Sequence, residues 1–62
     1  MTLSEHWNRA NQIENSDLDP QTKISNLYRA SDFAMFDSEG YYVYLRAAKR
    51  IQKANPNAWK AN

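Results

Sequence analysis

The sequence predicts an all-α fold: a small three-helix domain in which helices 2 and 3 form an antiparallel hairpin and helix 1 packs across it, with dimerisation as a further route to burial. Three observations predict it. Thr2-Leu3-Ser4-Glu5 reads as a capping box, the reciprocal pairing that opens a helix. Asp19-Pro20 reads as a second helix start, with an acceptor at the cap and a proline where a backbone N–H would go unpaired anyway. In the stretch Tyr41–Lys53, the cations Arg46, Lys49, Arg50 and Lys53 recur at helical spacing on one face, while Tyr41, Tyr44, Leu45, Ala48, Ile51 and Gln52 fall on the other. A strand would scatter those charges over both of its faces.

Helix 1 is expected over residues 3–14. Its apolar stripe is Leu3, Trp7, Ala10 and Ile13, with His6 on the margin, and its asparagines lower intrinsic propensity, so docking of the stripe should stabilise it. Helix 2 is expected over 20–36, with Ile24, Leu27, Tyr28, Ser31, Ala34 and Met35 on the buried side. Phe33 points nearly the opposite way and Phe36 sits between. Helix 3 is expected over 39–54, capped by Asp37 or Ser38, with Glu39 suited to the positive end of its dipole and Asn55-Pro56 ending it. Gly40, the only glycine, marks the turn where a positive φ would be tolerated. The expected core is Ile24, Leu27, Tyr28, Met35, Tyr44, Leu45, Ala48 and Ile51, with Leu3, Trp7 and Ile13 docking onto it. Trp59 is expected to fold back as a packing anchor.

Sixty-two residues make at most one domain. A chain this short buries only about 60% of its unfolded surface and often needs a staple or a partner. It has no cysteine and one histidine, so neither a disulfide framework nor a ligand-spaced zinc cluster is available. One glycine cannot make a phosphate-cradling loop. The serines have no histidine at a recognisable spacing, and no nucleophile, base and oxyanion donor assemble. The expectation is therefore no enzyme activity, no catalytic residue, no cofactor and no metal. No apolar run reaches the ~18 residues of a membrane span. The start, MTLSEHWNRANQIEN, lacks the basic-then-apolar pattern of a secretory signal. The chain begins with Met and is expected to be a complete small cytoplasmic protein.

The net charge of +1 conceals a polarity. All seven acids lie at or before Glu39, and the five bases from Tyr41 onward stand without an acid. The basic face Arg46, Lys49, Arg50 and Lys53 is thus a candidate polyanion or acidic-partner surface. Phe33, Phe36, Tyr42 and Val43 miss the main stripes; they are expected either to build the other half of a core or to form a partner or dimer interface. Two familiar motifs fail at specific positions. Helices joined near Gly40 and followed by KANPNAW have the outline of a tetratricopeptide unit, but Tyr44 stands where that repeat places a small residue and Asp32 where it places glycine. A helix-turn-helix would put Phe36 where a small residue is needed and Arg46 where an apolar one is needed. The functional expectation is a non-enzymatic regulator or adaptor that acts through protein–protein contact, of the kind bacteria and phages encode as small modulators. The alternative is a nucleic-acid binder using the basic face of helix 3.

Overall fold

The computed structural model describes residues 2–34 and 40–57. Three α-helices follow in order, α1 (Leu3–Glu14), α2 (Pro20–Ala34) and α3 (Tyr41–Ala54), and no strand occurs among the described residues. α2 and α3 pack most closely, and α1 lies across them, chiefly against α3. The expected bounds of α1 hold at both ends. α3 starts two residues later than expected, after Gly40. Met35, Phe36, Asp37, Ser38, Glu39, Trp59 and Lys60, to which the sequence assigns core, interface, capping, anchoring and basic roles, lie outside the described residues.

The local chemistry at the helix ends follows the residues placed there. The Thr2 hydroxyl accepts from the Glu5 backbone N–H at 3.2 Å, and the Glu5 carboxylate accepts from the Thr2 N–H at 3.4 Å, completing the capping box. At the other end of α1, Lys23 Nζ donates to the Glu14 carbonyl at 2.8 Å, filling an acceptor that the helix leaves open. The Asp19 carbonyl accepts from the Lys23 N–H at 3.0 Å, and its carboxylate accepts from the Thr22 hydroxyl, so Asp19 opens α2. Asn55 closes α3, its side-chain amide and backbone N–H both donating to the Ile51 carbonyl.

The core is one cluster of Ala10, Ile24, Leu27, Ala34, Val43, Tyr44, Ala47, Ala48 and Ile51, with Ile13, Tyr28 and Ala30 packed against it. On α2 the buried residues Ile24, Leu27, Ser31 and Ala34 all lie on the predicted stripe, and Phe33, which points away from it, is exposed rather than part of a second core face. Two faces are rotated from expectation. On α1 the buried residues are His6 and Ala10; Leu3 and Trp7, expected to dock, are 41% and 58% exposed. On α3 the buried arc takes in Val43 and Ala47, leaving Leu45 half-buried and Tyr41 exposed. The buried positions include the small side chains Ala10, Ala47 and Ala48, each at most 1% exposed, and small side chains at a crossing allow helices to pack closely where an indole would not fit.

His6 and Gly40 explain each other. The His6 ring is 5% exposed, its Nδ1 lies 2.9 Å from the Tyr44 hydroxyl, and the two rings meet edge to face at 5.5 Å. A Cβ placed on Gly40 would fall 2.6 Å from both Cγ and Nε2 of that ring. The glycine is required by contact, not by conformation. Its φ is −97° and ψ −27°, and no positive φ occurs among the described residues, so the turn does not use the freedom that glycine offers there.

Candidate functional site: an aromatic cleft with a basic rim

The rotation of α1 creates the most distinctive surface among the described residues. Leu3 and Trp7 occupy the flank of α1 beside its buried arc, where they face the flank of α3 that carries Tyr42, Val43, Arg46 and Arg50. Together with Ala10 and Asn11 these residues line a cleft of about 270 Å³. Ala10 and Val43 belong to the core and form its floor, while Leu3, Trp7 and Tyr42 remain exposed as its walls.

Both cations at the rim are held by neighbours. Arg46 Cζ stands 5.7 Å from the centroid of the Tyr42 ring, one helical turn earlier, within cation–π range. Arg50 reaches back to α1, donating from Nε to one Glu14 carboxylate oxygen at 3.1 Å and from Nη2 to the other at 2.7 Å. That hydrogen-bonded pair holds the Glu14 carboxyl below its ordinary value of 4.5 and raises the Arg50 guanidinium above its ordinary range. Tyr41 meets Tyr42 edge to face at 6.1 Å, so an aromatic pair stands at the start of α3.

The interface residues expected from sequence do not assemble as one group. Val43, 9% exposed, contributes to the core and shows only its edge to the cleft. Phe33, 78% exposed, stands instead at a separate depression between α1 and α2 with Arg9, Arg29 and Ile13. Phe36 lies outside the described residues. Of the basic face, Arg46 and Arg50 turn into the cleft rim, while Lys49 and Lys53 are exposed residues outside its lining. Sequence reasoning placed Leu3 and Trp7 in the core and so missed two of the three exposed walls. The signal that could have found them is the alanine one helical turn past Trp7, which marks the close crossing and so which side of the stripe is buried.

Among the described residues no group of three or more histidine, aspartate or glutamate side chains could hold a metal ion. No described helix is long and apolar enough to cross a membrane. Every buried side-chain nitrogen and oxygen among the described residues has a hydrogen-bond partner. The chain matches no protein-family model, no curated protein and no solved structure.

Proposed function

We propose that this chain is a non-enzymatic regulator or adaptor that works by binding another protein through the cleft between α1 and α3. One observation carries the reading: Leu3, Trp7 and Tyr42, at 41%, 58% and 41% exposure, line a single cleft in a chain with little apolar surface to spare. Tryptophan, tyrosine and arginine are the residues that most often carry binding energy at protein interfaces, and all three are here.

Paired capture from a lysate of the native host tests this, with the wild-type chain set against Trp7→Ala and Tyr42→Asp. The reading requires one and the same protein to be retained by the wild type and lost from both variants while their helicity is unchanged. Retention indifferent to both substitutions overturns it.

The nucleic-acid reading has weaker support. Arg50 is already paired with Glu14, and the net charge is only +1. Charge reversal at Lys49 and Arg50 would abolish salt-sensitive binding of an oligonucleotide if that reading held. A second mode of association rests on Phe33, whose side chain is 78% exposed beside the depression between α1 and α2 and suits a homodimer seam.

A further inference from the structure

Resting on the reading of the cleft as a protein-binding site, we infer the chemistry of its occupant: an acidic amphipathic helix of a partner protein. One apolar side chain of that helix would seat against Trp7 and Val43, and carboxylates a turn away would meet Arg46 and Arg50. The mode is an amphipathic helix laid along a groove between two helices.

Charge complementarity carries the choice. Arg46 and Arg50 are the charged side chains that line this cleft, and both stand on α3, which contains no acid. Glu14 takes two of the five N–H donors of the Arg50 guanidinium, through Nε and Nη2, and leaves Nη1 to bond elsewhere. Its carboxylate thereby biases the plane of the guanidinium before any partner arrives. The ring of Tyr42 likewise supports Arg46. Two long side chains that would otherwise lose rotamer freedom on binding are already restrained, which lowers the entropic cost of engaging a carboxylate. The floor, by contrast, is apolar and shallow, built from Ala10 and Val43. An occupant must therefore offer a small apolar knob and negative charge at short spacing, and a helix with i, i+3 and i+4 positions does so. A nucleic acid fits less well. Stable duplex binders typically neutralise about 6–10 phosphates, whereas this cleft offers two guanidiniums.

The test uses a synthetic amphipathic helical peptide with leucines along one face flanked by glutamates. It is compared with the same peptide bearing glutamine or lysine in place of glutamate, and with a single-stranded oligonucleotide. Binding is followed by the Trp7 indole and the Tyr42 and Arg46 backbone signals in nitrogen–proton correlation spectra of the full chain. The glutamate peptide is expected to shift those signals, with affinity that falls as salt is added and that drops on the order of tenfold or more when glutamate becomes lysine. Arg46→Glu is expected to reverse the preference between the glutamate and lysine peptides without changing helicity, because Arg46 is exposed. Equal binding of the glutamate, glutamine and lysine peptides in the cleft overturns the acidic occupant while leaving the protein-binding reading standing. Cleft signals that answer to the oligonucleotide and not to the peptide overturn it in favour of a polyanion. Cleft signals that move with protein concentration alone overturn it in favour of a second copy. No response to any probe overturns it too, and the paired capture then decides the broader reading separately.

Discussion

At the scale of single residues, His6 departs most from what its chemical type suggests. Beside a tryptophan and a glutamate, His6 falls only on the margin of the helix 1 stripe, because periodicity ranks positions by apolarity and histidine ranks low. What that ranking omits is the hydroxyl of Tyr44, thirty-eight residues away, which gives the ring a polar partner inside the core. Tyr44→Phe removes that hydrogen bond and is expected to cost about 0.5–1.5 kcal/mol in urea unfolding, the net worth of an ordinary intramolecular hydrogen bond. Burial pushes the Tyr44 phenol above its ordinary value of 10.0. A raised folded-state value means the folded chain holds this proton more tightly. The contribution is thus present in full below about pH 10 and is lost as pH rises through the folded value. The wild type should accordingly lose stability on alkaline titration more steeply than Tyr44→Phe. Gly40→Ala is expected to cost about 1–3 kcal/mol through the clash with the His6 ring. In a His6→Ala background the same change should cost little, so a double-mutant cycle should show strong coupling between two residues far apart in sequence.

At the scale of elements, the helix ends were more legible than the helix faces. Capping is written in short local patterns, and Thr2-Leu3-Ser4-Glu5 and Asp19-Pro20 carry enough chemistry to place α1 and the start of α2. A face depends on how closely a neighbour approaches, and no local pattern states that distance. Of the stripe Leu3-Trp7-Ala10-Ile13, only Ala10 is fully buried, and His6 from its margin, not Leu3 or Trp7, is buried with it. The same rotation turned two predicted features, the surplus Tyr42 and the basic Arg46 and Arg50, into parts of one cleft. The bond from Glu14 to Arg50 ties the end of α1 to α3, and both partners are partly exposed, at 24% and 56% of their side-chain surfaces. Solvent screening keeps such a pair to about 0.2–1 kcal/mol. Because the folded state lowers the Glu14 value below 4.5, this stability is present above that pH and is lost as pH falls through the lowered value. Glu14→Gln should cost that small amount at neutral pH, flatten the acid side of the stability profile, and free Arg50 from its restraint. Chemical unfolding at neutral and at acid pH would measure the first two.

At the scale of the whole molecule, the issue is what a chain of 62 residues does with apolar groups that its own core does not take up. The core is closed by Ile24, Leu27 and Tyr44, each at most 1% exposed, and Phe33 stands apart from it. Burial alone therefore predicts opposite outcomes for two substitutions on the same helix. Ile24→Ala removes a fully buried side chain and should cost about 2–5 kcal/mol, enough to unfold a small domain. Phe33→Asp changes a side chain that is 78% exposed and should alter monomer stability by no more than roughly 0.5 kcal/mol. If Phe33 forms a homodimer seam, the same aspartate also places like charges face to face across the symmetry axis and abolishes the dimer. Equilibrium sedimentation separates these effects from unfolding. The wild type should show mass rising toward a dimer at tens-of-micromolar concentration, and Phe33→Asp should remain a monomer with the same helical circular dichroism. A wild type that stays monomeric throughout removes the seam. It leaves the cleft between α1 and α3 as the surface proposed for a partner, because Trp7 and Tyr42 are exposed in the monomer and need no second copy to present them.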